Sequence, residues 1–338
     1  MVIRSKSPMR ISFAGGGTDL PHWFEAHGGA VLSSTINRYA YVTLYPRQDN
    51  LVQINSYDLG YSVKYGIDEK PSYDGVLDLA KAAILRLNIK QGLDMDVRSD
   101  APPGSGLGGS SAMTSAVIGA LANFTRQNLS CYDLAELNWS IERVDLGIKG
   151  GKQDQYATTF GGFNHMEFLK DRVILNPLRI DRTILNDLEA HLLLCYTGRV
   201  RADLGLIDKQ IDYYHQGRQT TIKGMHRLMQ LVFEMKEALL KGELDTLGLL
   251  LHEAYENKLR MNPDIHQGTR AVALYETARQ HGALGGKLLG AGGGGYLLLY
   301  CQSRKQHKIR TALEEMGGQF TDFSFEGLGL QTWRSKAK

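Results

Sequence analysis

The chain has 338 residues with 39 Lys and Arg against 36 Asp and Glu, a formal charge of +3 that excludes a nucleic-acid or membrane surface built on net charge. Its three cysteines, Cys131, Cys195 and Cys301, are too far apart and irregular for a disulfide framework or a cysteine metal site, and a reducing cytoplasm fits them. A chain of this length with 43% hydrophobic residues can bury two cores, so two domains are expected.

The first informative stretch is SPMRISFAGGGTDLP, residues 7–21, which reads as a short alternating strand from Arg10 to Ala14 that runs into Gly15-Gly16-Gly17-Thr18-Asp19. A strand ending in glycines and then offering a hydroxyl and a carboxylate can place polar groups at a pocket rim. Equally, Asp19 could simply form a hairpin turn. Alternating strands continue to about residue 65, with VTLYP and LVQINSY among them, and a helix is expected near 75–88.

The run APPGSGLGGSSAM at 101–113 is the strongest chemical signal. Gly104, Gly106, Gly108 and Gly109 can adopt backbone angles closed to residues with a Cβ, so successive N–H groups can turn inward around phosphate oxygens. The following SSAMTSAVIGALANF has helical spacing and starts at Ser110 or Ser111, so the loop would empty into a helix N-terminus that also attracts anions. Two common phosphate motifs fail here. Pro102 and Pro103 deny the strand that a dinucleotide G-x-G-x-x-G needs, and the lysine of a Walker loop is missing.

Ser130-x-x-Asp133 is a capping-box-like start for a helix that carries Leu134, Leu137, Ile141 and Val144 on one face. Glu142 falls about 100° from Ile141, on the flank of that stripe. After a β-rich stretch, FGGFNHMEF and RVILNPL, the run LLLCY reads as a strand, and 219–241 reads as an amphipathic helix with Ile222, Met225, Met229, Val232 and Leu239 inward. In KLLGAGGGGYLLLYC at 287–301 the strand-like segment follows the glycines, the reverse of a Rossmann unit. Five glycines in the six positions 290–295 suggest a close approach to the main chain, at either a ligand site or a glycine-rich hairpin. Strand-like runs at 296–301 and 319–326 would close the second domain, and strand-rich halves with helices packed on them indicate an α+β class.

The three glycine clusters stand in the order found in the GHMP small-molecule kinases, which this chain resembles over nearly its whole length. Segment 7–20 resembles the first motif, 102–112 the phosphate loop and 287–296 the third motif. The resemblance implies a ribosomal-protein-S5-domain-2-like N-terminal domain over 1–190 and a ferredoxin-like C-terminal domain over 191–338, with the site between them. It implies ATP held by Pro103, Gly104, Ser105, Gly106, Leu107, Gly108, Gly109, Ser110 and Ser111. Mg2+ would sit on Ser111 and Glu142, and Gly16, Gly17, Thr18, Asp19, Gly292 and Gly293 would contact the acceptor. Within Gln153-Asp154-Gln155, Asp154 is implied as general base, with Arg10 balancing charge between it and the γ-phosphate. Phosphoryl transfer needs these parts, because it rests on positioning and on neutralising charge, and magnesium needs few protein oxygens.

Galactokinases carry Glu-His where this chain has Gly16-Gly17, so galactose is a poor acceptor. The strings FAGGGTDLP, GIKGGKQDQYA, FGGFN and GGKLLGAGGGGY are most similar to the D-glycero-D-manno-heptose 7-phosphate kinases. That implies phosphorylation of the anomeric hydroxyl to a 1,7-bisphosphate, for nucleotide-activated heptose and surface polysaccharide. A phosphorylated acceptor needs a cationic clamp, for which Lys152, Arg199, Arg201 and Lys258 are candidates. A kinase for another sugar, fucose-like or a nonphosphorylated heptose, and a non-catalytic regulator that binds sugar and ATP are the alternatives. Partners are expected to be small molecules, with no nucleic acid and no membrane, since the N-terminus lacks an apolar core and runs such as YLLLYC are far below the roughly 18 residues of a span. The sequence leaves the oligomeric state open.

Overall fold

The computed structural model describes residues 1–200, 205–266 and 270–336. β1 (Val2–Ala14) and β2 (Gly29–Pro46) pair antiparallel from Ile3↔Leu44 to Ala14↔Leu32. Pro8 has no N–H for the ladder, and the register shifts at Pro8/Met9 and again at Ser12/Ala14. The second shift ends the strand at the Gly15–Asp19 loop, before α1 (Pro21–His27), which has proline in its first turn. The strand is thus much longer than the expected Arg10–Ala14.

β3 (Leu51–Ser56) and β4 (Tyr61–Gly66) form a hairpin, α2 (Asp78–Arg86) follows, and β5 (Leu93–Ser99) returns antiparallel to β2 and parallel to β3. α3 (Gly109–Thr125) is small and apolar along its length, and Ala112, Ala116, Val117, Ala120 and Leu121 are fully buried. It runs beneath β1 and β2 and packs on α2, α4 (Cys131–Ser140) and α5 (Gln153–Phe160). β6 (Phe163–Phe168) joins the far end of β2 and pairs with β7 (Val173–Pro177).

α6 (Arg182–His191) leads into β8 (Leu192–Val200), then α7 (Leu206–His215), α8 (Gln219–Lys241) and α9 (Leu244–Met261). The expected inward face of α8 is real: Met225, Val232 and Leu239 are fully buried, and Ile222 and Met229 pack against the same core from its edge. That core also takes in Met9, Ile11 and Phe13 of β1, so α8 is the apolar bridge between the halves of the molecule. α10 (Arg270–Gln280), β9 (Gly285–Leu288), β10 (Gly294–Tyr300), α11 (Ser303–Glu315) and β11 (Gln319–Phe320) complete a four-stranded sheet of order β11-β8-β10-β9.

The expectation that 319–326 closes the second half holds for β11, and the rest of the run then leaves that sheet. β12 (Phe325–Glu326) pairs with β2, and β13 (Gln331–Ser335) pairs with β1 in the register Val2↔Ser335. Phe325 packs its ring edge against Phe163, 4.6 Å between centroids, a contact that fixes the return. The first sheet has nine strands among the described residues, along the path β13-β1-β2-β5-β3-β4, with β6, β7 and β12 off that path. The architecture is the expected two-part α+β arrangement.

Candidate active site

The phosphate loop bends as its glycines allow: Gly104, Gly106 and Gly108 have φ of 71°, 82° and 72°. Gly108 is the left-handed cap of α3, which opens at Gly109, and the N–H groups of Gly106, Leu107 and Gly108 have no hydrogen-bond partner among the described residues. Unpaired donors at a helix N-terminus form a cradle for anionic oxygens. Leu107 turns its side chain into the core and offers only main chain, its carbonyl accepting from Arg10 N at 2.9 Å.

The third glycine cluster is the turn between β9 and β10, and what approaches it is the phosphate loop itself. Ser105 O accepts from Tyr296 N at 2.9 Å. A Cβ at Gly106 would lie 2.6 Å from Leu289 O, and one at Gly290 only 2.8 Å from the Gly106 Cα. The cluster is therefore a glycine-rich hairpin turn whose main chain is closely approached by the phosphate loop. Gly292 and Gly293 line the cavity on the loop's side, not the one containing Asp19.

Two cavities, of about 1130 and 190 Å³, meet at Arg10 and Asp154. The larger runs from the phosphate loop past Leu59, Tyr61, Tyr73 and Leu77, an apolar and aromatic wall suited to a purine base that sequence reasoning missed because its parts are scattered. The smaller is lined by Gly16, Gly17 and Asp19 of the first motif, Gly150, Gly151 and Gln153 before α5, and helices from the second half. At the junction, Arg10 Nε donates to Asp154 Oδ1 at 2.7 Å, and another guanidinium nitrogen donates to the Gly106 carbonyl. Arg10 is buried; Asp154 Oδ2 has no hydrogen-bond partner among the described residues, and Asp154 lines both cavities.

Asp19 is buried and accepts from Gly17 N at 3.0 Å and from both nitrogens of Gln153 at 3.1 Å. Burial, with Asp154 nearby, pushes its carboxyl above the usual range, against the pull of those donors. Gly151 is required beside it, since a Cβ there would come within 1.9 Å of Asp19 Oδ2. Thr18 does not face the cavity: its hydroxyl donates to Gly15 O and Ala30 O at 2.8 and 2.9 Å and accepts from Ala30 N at 3.2 Å, holding the loop in shape.

Glu142 differs most from its expected helix-flank position. The helix continues past α4 as a π-turn, Ile141–Asp145, closed by Leu146 N donating to Ile141 O at 3.1 Å. The wider turn shifts the phase, so Glu142 is fully buried while Val144, expected inside, is 62% exposed. Glu142 Oε2 accepts from Ser111 Oγ at 2.8 Å and from the Gln155 amide, and Oε1 has no partner among the described residues. Neither Ser111 nor Glu142 lines either cavity. A buried carboxylate oxygen without a donor, next to a hydroxyl, suits a hard cation such as Mg2+, so these residues fit the metal implied for them. Glu142→Gln should keep both hydrogen bonds to Oε2 and raise the Mg2+ concentration for half-maximal activity on the order of tenfold, the worth of one charge-assisted contact. An unchanged Mg2+ titration would remove Glu142 from the metal site.

Of the expected clamp residues, Lys152 points elsewhere: its ammonium pairs with Glu136 at 2.9 Å and lies over the Trp139 ring. Arg201 lies outside the described residues, and of Arg199 only the main chain, at the end of β8, is described. Lys258 does line the smaller cavity, donates to Gly290 O, and is pushed down to about 8 by burial and by Arg10. Beside it stands Lys287 on β9, which sequence reasoning missed. Its one signal was a lone cation between glycines and leucines in a strand-like run. Among the described residues no helix is long and apolar enough to cross a membrane.

Residues 76–162 match the GHMP kinases N terminal domain and residues 235–319 the GHMP kinases C terminal domain. The chain belongs to the GHMP kinase family, whose fold carries an ATP-binding site and phosphotransferase activity. It is 37% identical over 341 residues to the D-glycero-alpha-D-manno-heptose 7-phosphate kinase of Campylobacter jejuni subsp. jejuni serotype O:2, covering 98% of this chain and 99% of that one. Its fold matches the crystal structure of a D-glycero-D-manno-heptose 1-phosphate kinase from Bacteriodes thetaiotaomicron with a TM-score of 0.84 and 32% identity, covering 99% of this chain and 100% of that one. A putative sugar kinase from Campylobacter jejuni matches with a TM-score of 0.78 and 35% identity, covering 99% and 98%.

Proposed function

We propose that the protein transfers the γ-phosphoryl group of ATP to the anomeric hydroxyl of D-glycero-D-manno-heptose 7-phosphate, giving the 1,7-bisphosphate. The observation that carries the reaction type is the meeting of two cavities at Asp154, whose Oδ2 has no partner among the described residues, beside a buried arginine. The acceptor is supported by the similarity, along almost the whole chain, to a heptose 7-phosphate kinase.

In this reading the nucleotide phosphates lie on the N–H groups of the 104–110 loop, and the sugar sits between Asp19 and α5. Asp154 Oδ2 accepts the proton as the sugar oxygen bonds to the γ-phosphorus and the bond to the β–γ bridging oxygen breaks, releasing ADP. Arg10 fixes the rotamer of Asp154 through Oδ1 and keeps its positive charge beside the transferring group. Asp19, already filled on its inner side by three N–H donors, turns its remaining acceptor capacity to sugar hydroxyls. Mg2+ on Ser111 and Glu142 would neutralise charge on the phosphate chain.

The test is ADP release measured against hexoses, heptoses and their phosphates, with phosphorus NMR to locate the new ester. Heptose 7-phosphate should give the highest kcat/KM, with the new phosphate on the anomeric carbon. A nonphosphorylated sugar that outperforms it would overturn the acceptor and leave the kinase class standing.

A further inference from the structure

The smaller cavity holds more positive charge than its own carboxylates answer. Arg10 is committed to Asp154 and the Gly106 carbonyl. Arg143 is held by Glu142 and by the carbonyls of Ile148 and Gly151. Lys149 is mostly exposed and pairs with Asp208. Two cations are left. Among the described residues Lys258 Nζ reaches only a carbonyl oxygen, and the ammonium of Lys287, a residue 7% exposed, has no hydrogen bond or ion pair.

An ammonium held out of water without an acceptor is costly, and such a group persists where something arrives to meet it. Burial, Lys258 and Arg10 together push Lys287 well below the usual lysine range, the effect expected of cations that lack an anion. Asp19 is the carboxylate on the same side, but its donors come from Gly17 and Gln153. Both lysines line the smaller cavity and neither lines the larger one, where the phosphate loop lies. The missing anion therefore enters with the acceptor and not with the nucleotide.

We propose that Lys287, with Lys258 beside it, is the subsite for a phosphate group already on the acceptor, which enters with that phosphate toward β9 and its reactive hydroxyl toward Asp154. The assignment rests on the acceptor reading above and deepens it. Two ammonium groups match a phosphate dianion in charge, and a lysine, as a compact point charge, tolerates the approach of a group whose orientation is set by the sugar.

The experiment compares Lys287→Met with the unaltered protein on heptose 7-phosphate and on the same heptose without its phosphate. The preference for the phosphorylated acceptor, as a ratio of kcat/KM values, should fall by about 10- to 100-fold, mainly through KM, with the KM for ATP little changed. An unchanged ratio, or an equal rise in the KM for ATP, would overturn the subsite. Lys258→Met gives the same readout should the first variant fail to fold. A second arm needs no turnover: D-mannose 6-phosphate is titrated calorimetrically into protein saturated with a non-hydrolysable ATP analogue. Binding that is lost in the lysine variants supports the subsite, and binding that is absent from the unaltered protein or indifferent to both lysines overturns it. Turnover of heptose 7-phosphate by the unaltered protein tests the acceptor separately.

Discussion

Asp154→Asn should lower kcat by about 100- to 10,000-fold, read as ADP release at saturating ATP and acceptor. Asparagine keeps a carbonyl oxygen for Arg10 Nε, so the ion-pair geometry of 2.7 Å loses charge but not its hydrogen bond. What it removes is an oxygen able to take up a proton, now Oδ2. Affinity for an ATP analogue should stay close to that of the unaltered protein, because the loop donors are untouched. The same variant separates the kinase from a non-catalytic sensor. Turnover that survives the change would place the base elsewhere in the cleft, and Asp19, buried beside Asp154, would be the next group to replace.

Gly106→Ala should cost both stability and nucleotide affinity. At φ of 82° an alanine costs about 1–2 kcal/mol for a left-handed backbone. The added Cβ would lie 2.6 Å from Leu289 O, a main-chain atom that no rotamer change can move aside, so a further ~1–3 kcal/mol of overpacking is expected. Gly60 supplies the control, with φ of 69° and no atom within 4 Å of the point a Cβ would occupy. Gly60→Ala should show only the backbone cost. Thermal unfolding of the two variants, with and without an ATP analogue, isolates the contact between loop and turn. Equal losses would mean that the turn gives way freely and does not hold the loop.

The chemistry written locally was legible in the sequence. Glycines at 104, 106 and 108 announce their backbone angles and Asp19 its polar group at the smaller cavity through residue type alone, and the inward methionines of α8 follow from helical spacing, whereas Thr18 turns its hydroxyl back on the loop. The S-x-x-D signal at Ser130 is a true capping box. Glu142 was misplaced because periodicity assumes 3.6 residues per turn, and a single π-turn breaks that phase without a mark in composition. Lys152 was misread for another reason: nearness to Asp154 along the chain says nothing about direction, and α5 turns Lys152 toward Glu136. Lys287 and the aromatic wall at Tyr61 and Tyr73 depend on tertiary neighbours, which one chain's pattern does not carry. The return of β12 and β13 was equally hidden, because short strands look alike wherever they pair.

That return sets an order of events on the ribosome. Residues 2–6 find their partners on one side only when residues 331–335 have been made. Until then the nascent first sheet has an open edge at β1, a template for stray strands while the residues between the two partners are made. Vectorial folding of the first sheet can begin early, but its last hydrogen bonds wait for residues 331–335.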